Sequence, residues 1–320
     1  MCNFSNLLIY SLKFNDKITL TSSKSKSLRT SRDALRADIK KWFSDKEKQQ
    51  PKFCWQGSFA MKTVVNQIDG NEYDMDDGVY LQGYDDVDQD DWPTPSTVHK
   101  WVKDAVEDRT KLSPIDKDTC IRVCYSAGYH IDLPIYIVKD DVAYLATKKE
   151  GWIESDPKAF KDWFVDKVQD DTSYGEQLRR LVKALKAWKD CKNVDLKGIE
   201  LTILATNSFD KYDNREDKSF LNTVKDIISK LETDFKCIKP VVPGENLFDS
   251  VSETKKNKIM DALSDLKDNM ENALSESDEE KASMHLRSSF GDRFPKGVAS
   301  TSNYVKSDAP GVLKHDGRSA

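Results

Sequence analysis

The sequence predicts an α+β fold in which a lobe with a mixed β-sheet precedes a mainly α-helical lobe. Segments rich in Val, Ile and Tyr favour strands in the first half, at 74–81, 120–125, 130–138 and 142–146. In the second half, apolar residues recur every three to four positions, which is typical of amphipathic helices. The strongest such pattern runs from Glu176 to Asp190.

These patterns divide the 320 residues into four predicted regions. They are an N-terminal segment at 1–27, a sheet-containing lobe at 28–155, a helical lobe at 156–295 and a flexible C-terminal tail at 296–320. The stretch TLTSSKSKS at the end of the first region is polar, and we expect a linker there. An amphipathic helix is predicted from Leu28 to about Lys48, with Ser31 or Asp33 as its N-terminal cap.

Composition excludes some classes of function. The formal net charge of -5 argues against a protein that grips duplex DNA or RNA with a broad basic face, although it permits mononucleotide ligands. None of the six cysteines forms a C-x-x-C motif, so we expect reduced thiols. The N-terminus lacks the features of a signal peptide, and no apolar run is long enough to cross a bilayer. We therefore expect a cytoplasmic protein without membrane contact.

Two carboxylates and a Gly-Ser turn lie close together in the stretch 56–80. Side chains alternate faces along a strand, so Asp74 and Asp76 point the same way. Two carboxylates on one face repel each other unless water or a hard cation such as Mg²⁺ surrounds them. The turn Gly57-Ser58 offers backbone N–H groups that can approach phosphate oxygens closely. The combination predicts a site for a Mg²⁺–triphosphate.

A third carboxylate is predicted to join this pair from a neighbouring strand. The segments 120–125 and 130–138 form a predicted hairpin, and Asp132 lies on its second strand. Counting back from Asp132 turns Arg122 to the opposite face, so we do not expect Arg122 in the site. His130 shares the face of Asp132, but a lone histidine there is more often a packing or hydrogen-bonding residue than a catalyst.

The motifs GSF, DMDD and HIDLPIY resemble the nucleotidyltransferase signature of the polymerase-β superfamily, in which a Gly-Ser turn and three Asp residues hold two metal ions. A longer series between Gln56 and Phe294 is similar, in order, to the bacterial cGAS/DncV-like nucleotidyltransferases (CD-NTases). These enzymes make cyclic oligonucleotide signals in CBASS anti-phage defence. The series is QGSF, MDDGVY, HIDLPIY, WIESDPKAFKDWF, LRRLVKALKAWKD and FGDRF.

The resemblance implies a polymerase-β-like fold and assigns roles to residues of this chain. Three residues would be both metal ligands and catalytic residues, namely Asp74, Asp76 and Asp132. They would bind two Mg²⁺ ions, for which Mn²⁺ could substitute. The implied nucleotide-binding residues are Gln56, Gly57, Ser58 and Lys186. The lysine lies in KAWKD, which matches a family motif whose lysine touches the triphosphate.

The resemblance also implies an activity and partners. The expected reaction joins ATP and GTP in two successive transfers into a cyclic di- or tri-purine nucleotide such as cGAMP. A downstream effector would bind this product. Some family members are joined covalently through their C-terminal residue by an E1/E2-like partner, and a tail that ends at Ala320 fits that use.

Two other functions remain open at this point. A chain-extending polymerase of the poly(A) or oligoadenylate type shares the Gly-Ser turn and the three Asp residues, although those that act on RNA usually need a broad basic surface. A non-enzymatic interaction protein on the same scaffold is the second alternative. Such a scaffold would be expected to have lost an acidic ligand, and all three are present. The sequence does not specify the bases, the ring size or the 3′–5′ or 2′–5′ linkage.

Overall fold

The computed structural model describes residues 5–68, 72–170 and 174–298. It confirms the predicted α+β fold, with a mixed β-sheet followed by a helical region. The helices are α1 (Ser5–Ile18), α2 (Ser22–Asp45), α3 (Gly57–Ala60), α4 (Pro95–Val106), α5 (Pro157–Gln169), α6 (Gly175–Lys192), α7 (Gly198–Asn207), α8 (Glu216–Thr233), α9 (Glu253–Ser275) and α10 (Glu279–Phe290). The strands are β1 (Lys52–Gln56), β2 (Tyr73–Leu81), β3 (Ile115–Asp116), β4 (Ile121–Tyr125), β5 (Tyr129–Leu133), β6 (Ile135–Lys139), β7 (Val142–Thr147) and β8 (Gly151–Glu154).

Strand β2 organises the sheet. It pairs antiparallel with β1 and parallel with β5 and β6, while β4 extends the sheet from β5 and β7 extends it from β6. The predicted single strand at 130–138 is divided at Pro134, which has no N–H to donate to a ladder. The carbonyl of Pro134 still accepts a hydrogen bond of 2.8 Å from the N–H of Val79. Both halves therefore follow β2 in the same register.

The two larger hydrophobic cores among the described residues lie on different parts of this framework, and a small third cluster contains Tyr136, Ala143 and Leu145. The first joins one face of the sheet to α2 and α4, and β2 contributes Met75 and Val79 to it. Because side chains alternate along β2, Asp74 and Asp76 must project from the opposite face. The second core lies among α1 and the helices from α5 to α10, with Trp188 and Phe164 among its largest buried side chains. The sheet face that carries Asp74 and Asp76 thus looks toward the helical core, and residues of both line one cleft.

The N-terminal expectation was wrong in two respects. Residues 22–27 are the first turns of α2 rather than a linker, because Thr21 caps the helix by accepting a hydrogen bond from the N–H of Lys24. These turns are largely solvent-exposed, so helix formation there needs no apolar stripe, and the polar composition misled the prediction. The proposed cap Ser31 lies inside the helix and hydrogen-bonds the hydroxyl of Tyr129 at 2.8 Å.

No helix in the described ranges is both long enough and apolar enough to span a membrane. Residues 299–320, which include most of the predicted tail, lie outside the described residues.

A buried ion pair fixes α2 to the back of the sheet. Asp77, which is 0% exposed, accepts hydrogen bonds from both Nε and Nη2 of Arg36, the first at 2.7 Å. Burial raises the pKa of Asp77 despite this pairing, so removal of the guanidinium would leave the burial cost unopposed. We expect Arg36→Ala to lower the free energy of unfolding by about 3 kcal/mol, measured by urea denaturation.

The half-exposed pair of Arg109 and Asp38 provides a matched control for this prediction. It also joins an arginine to a carboxylate, this time one of α2, but water reaches both side chains. Arg109→Ala should cost about 1 kcal/mol or less. Equal losses for Arg36→Ala and Arg109→Ala would contradict the idea that the Asp77 carboxylate is destabilising when unpaired.

Candidate active site

The turn between β1 and α3 packs directly against one of the predicted catalytic carboxylates. Gly57 has φ +64°, a conformation that favours glycine, and a Cβ added there would lie 2.2 Å from Oδ2 of Asp76. Ser58 follows in the single helical turn of α3. Helix α3 consists of only this one turn. Glycine at this position permits a close approach of the turn to the carboxylate.

The sheet register brings the three carboxylates to one face. Asp76 pairs with Asp132 of β5 in parallel register, so both side chains project the same way, and Asp74 lies two residues before Asp76 on that face. Burial raises the pKa of Asp76 to about 8, and the charges of Asp74 and Asp132 contribute to that increase. Without a cation, the site therefore disfavours the ionised form of Asp76.

Arg122 belongs to this cluster, and the prediction that it faces away was wrong. The antiparallel register of β4 and β5 pairs Arg122 directly with Asp132. Directly paired residues share a face, and counting along the chain through the turn lost this relation. The guanidinium donates two hydrogen bonds of 2.7 Å, from Nε to Oδ1 and from Nη2 to Oδ2 of Asp132. Both carboxylate oxygens are thus engaged.

Gln56 is buried beside the turn, and it is not among the residues that line the cleft between the sheet and the helical region. Its side chain is 3% exposed, and its Nε2 donates a hydrogen bond of 3.1 Å to the hydroxyl of Tyr136 in β6. The two side chains meet over Gly78 of β2, where an added Cβ would lie 3.2 Å from Oε1 of Gln56 and 3.2 Å from Cε2 of Tyr136. The predicted nucleotide contact of Gln56 therefore stays a prediction. The nearby His130 hydrogen-bonds Glu72, a contact that fits a packing role.

A cleft opens between the carboxylates and the helical region. Its lining includes Gly57, Ser58, Asp74 and Asp76. It also includes residues that the sequence did not single out, namely Lys189, Gly198, Ile199, Thr202 and Lys239. Of these, Lys189 could have been found from its position one helical turn after Lys186.

Lys186 of α6 faces the carboxylates across this cleft. Its ammonium donates a hydrogen bond of 3.1 Å to Oγ1 of Thr63. Burial lowers the pKa of Lys186 to about 8, and the nearby charge of Asp74 opposes that shift. A buried amine poised beside a carboxylate pair is suited to pair with a further anion, since an added negative charge would favour its charged form.

The donor set fits a hard divalent cation. Carboxylate oxygens are the ligands that Mg²⁺ prefers, and a bound cation would relieve the repulsion between the carboxylates of Asp74 and Asp76. Across the described residues, no three His, Cys, Asp or Glu side chains are already arranged around a common ion position. The bidentate contact of Arg122 with Asp132 explains why the third carboxylate is not free.

Two family models match the chain. The model for the nucleotidyltransferase domain of DncV-like cyclic GMP-AMP synthases matches residues 51–136. The model for the C-terminal domain of cyclic GMP-AMP synthase matches residues 175–303. Together they cover more than half of the chain. The chain belongs to the DncV-like nucleotidyltransferases. The first match contains the Gly-Ser turn and the three carboxylates of the cluster.

Curated relatives in this family carry several product names. The chain is 32% identical over 200 residues to a cyclic GMP-AMP synthase of Escherichia albertii, a match that covers 57% of this chain and 42% of the relative. It is 27% identical over 165 residues to a cyclic AMP-AMP-AMP synthase of an Acinetobacter species, covering 47% of this chain and 46% of the relative. The chain thus matches less than half the length of these two relatives.

The family's fold also appears in solved structures. The crystal structure of Vibrio cholerae DncV cyclic AMP-GMP synthase superposes with a TM-score of 0.76 at 20% identity, covering 92% of this chain and 98% of that one. The same Vibrio cholerae protein in complex with the linear intermediate 5′ pppA(3′,5′)pG gives a TM-score of 0.72 at 21% identity, covering 87% and 93%. At this identity the likeness shows the fold.

Proposed function

We propose that this chain is a Mg²⁺-dependent nucleotidyltransferase that joins nucleoside triphosphates into a cyclic oligonucleotide. One observation carries the proposal: three carboxylates share one sheet face, and two of them, Asp74 and Asp76, line a cleft together with the Gly57 turn and Lys186. Membership of the DncV-like family supports the same reaction class. Since the matches span less than half of the two curated relatives described above, the activity of the whole protein is part of the proposal.

The reaction requires one bond to form and one to break at the α-phosphate. A ribose hydroxyl oxygen bonds to the α-phosphorus, the bond from that phosphorus to the bridging oxygen breaks, and pyrophosphate leaves. When bound by Asp74, Asp76 and Asp132, Mg²⁺ supplies charge neutralisation and lowers the pKa of the attacking hydroxyl. Ser58 and the N–H groups of its turn would hold the β- and γ-phosphates.

The substrates we propose are ATP and GTP, because the names of the two relatives described above contain adenine and guanine nucleotides. The product would be a cyclic di- or tri-purine nucleotide that acts as a signal in cytoplasmic CBASS defence. Conjugation of the C-terminus by an E1/E2-like partner stays a prediction, since Ala320 lies outside the described residues.

Incubation of the purified protein with Mg²⁺ and labelled ATP and GTP, followed by phosphatase, tests this function. Phosphatase leaves the mass of a cyclic product unchanged, because a ring has no terminal phosphate, whereas a linear chain-extended product loses its terminal phosphates. A product whose mass is unchanged by phosphatase and that disappears with EDTA supports the proposal. If every product loses terminal phosphates, the proposed cyclic product is wrong. If no triphosphate is consumed, the scaffold alternative stands. Mass spectrometry with nuclease digestion then identifies the bases and the linkage.

Lys186 provides a further prediction within this function. We expect Lys186→Gln to raise the KM for nucleotide about tenfold with a smaller change in kcat, because a charge contact to the triphosphate exists before and during transfer. Pyrophosphate release at varied ATP concentration measures both constants. Lys192→Gln on the same helix is the control, since Lys192 is exposed. An equal change in KM for both variants would contradict the predicted role.

A further inference from the structure

The contact between Arg122 and Asp132 occupies the very oxygens that the third metal ligand has to offer. Nε and Nη2 of Arg122 donate to separate oxygens at 2.7 Å, so the pair is bidentate. The side chains are 23% and 13% exposed. Water therefore has little access to the ion pair. The carboxylate of Asp132 would exchange the guanidinium only for another strongly bound partner, such as a cation.

The other two carboxylates stand in a different situation. Asp74 and Asp76 line the cleft, whereas neither Arg122 nor Asp132 is among the side chains that form its wall. An ion that arrives through the cleft meets Asp74 and Asp76 first. Asp132 lies beside Asp76 in the next strand, and its carboxylate is already hydrogen-bonded to Arg122. The geometry thus separates two open ligands from one that is already paired.

We propose that Arg122 is a positioning residue that competes with the divalent cation for Asp132. The inference rests on the proposed function. In the free protein the guanidinium holds the Asp132 carboxylate in place, and completion of the metal site requires at least one of its oxygens to exchange the arginine for the ion. The positive charge of Arg122 also repels a cation bound at Asp74 and Asp76. Both effects make the arginine an obstacle to metal binding.

Competition and structural support predict opposite changes in metal affinity when Arg122 is replaced. Loss of a side chain that merely supported the fold of the site would weaken metal binding. Loss of a competitor should strengthen it. We therefore expect Arg122→Gln to bind Mn²⁺ roughly tenfold more tightly than the wild type, the order of one well-formed charge pair between partly buried groups. Arg122→Lys keeps the charge without the two-pronged donor geometry and should fall between the two proteins.

The measurement is Mn²⁺ binding followed by electron paramagnetic resonance of the free ion, with a non-hydrolysable ATP analogue present and without turnover. Arg109→Gln, which removes an arginine paired with Asp38 outside the site, controls for the change in net charge. Thermal unfolding confirms that each variant is folded. A wild-type affinity in Arg122→Gln, a weaker one, or no measurable binding in either protein overturns the inference.

A double-mutant cycle separates competition from simple charge removal. If Arg122 acts by holding Asp132, the gain in affinity should vanish when Arg122→Gln is combined with Asp132→Asn. If the gain is the same in the Asp132→Asn background, the arginine acts only through long-range charge, and the competition is refuted. An Asp132-dependent gain without any cyclic product would leave the inference standing and refute the proposed function. A cyclic product without the gain would do the reverse.

Discussion

Replacing Asp76 by Asn is expected to abolish nucleotide transfer while leaving the fold at least as stable as that of the wild type. Asp76 lies at the centre of the cluster, with Asp74 on its own strand and Asp132 beside it in β5. Asn has nearly the same shape but cannot bind a hard cation as a charged ligand. We expect the rate to fall on the order of a thousandfold or more, as for the loss of a metal ligand in a two-metal site.

Stability should move in the opposite direction in metal-free buffer. Burial and the neighbouring carboxylates disfavour the ionised form of Asp76, so the neutral amide relieves repulsion in the folded state. The adjacent residue offers a matched control, because Asp77 faces α2 and is paired with Arg36. Asp77→Asn should have a lower melting temperature than the wild type but the same activity per folded molecule. The assignment fails if Asp76→Asn keeps substantial activity or melts as early as Asp77→Asn.

Replacing Gly57 by Ala is expected to reduce activity by about a hundredfold or more, because the new methyl group displaces a catalytic carboxylate. The Cβ would lie 2.2 Å from Oδ2 of Asp76, and the residue would also have to keep φ +64°. We expect a loss of about 1–2 kcal/mol in the free energy of unfolding from the conformation alone. Denaturation curves and initial rates of pyrophosphate release measure the two effects.

Gly151 separates the conformational cost from the clash. It has φ +83° as the first residue of β8, but nothing lies within 4 Å of the position that an added Cβ would take. Gly151→Ala should therefore show a similar conformational cost in stability with normal activity. If the two alanine variants lost activity equally, the close approach of the turn to Asp76 would not matter for catalysis.

The parts of the fold that the sequence predicted depend on local periodicity. Alternation along β2 placed Asp74 and Asp76 on one face, and the spacing of Leu and Trp in α6 produced its buried side. Both patterns record which side of an element meets the core, and this is information that the residues themselves carry. The placement of Asp132 beside Asp76 followed from the hairpin, whose turn residues are also local.

The face of Arg122, which was predicted wrongly, and the contact of Gln56, which was not foreseen, are relations between elements, whereas the start of α2 was missed for a local reason. Register decides whether Arg122 meets Asp132, and a shift of one residue reverses the answer. The start of α2 depends on the cap at Thr21, since the exposed turns that follow it have no apolar pattern. The contact of Gln56 with Tyr136 joins positions 80 residues apart in the sequence, and nothing in the local sequence indicates it.

Glycine at position 78 makes room for the hydrogen bond between Gln56 and Tyr136. Without a side chain in the middle of β2, the amide of Gln56 reaches a tyrosine on β6 and ties the end of β1 to a strand beyond its neighbour. Since β1 and β6 both pair with Val79 and Tyr80 of β2, they lie on opposite edges of it. The turn that follows Gln56 is thereby braced by three strands. These contacts fix the N–H groups of the turn before a phosphate binds. Little reorganisation energy is therefore needed when the phosphate binds.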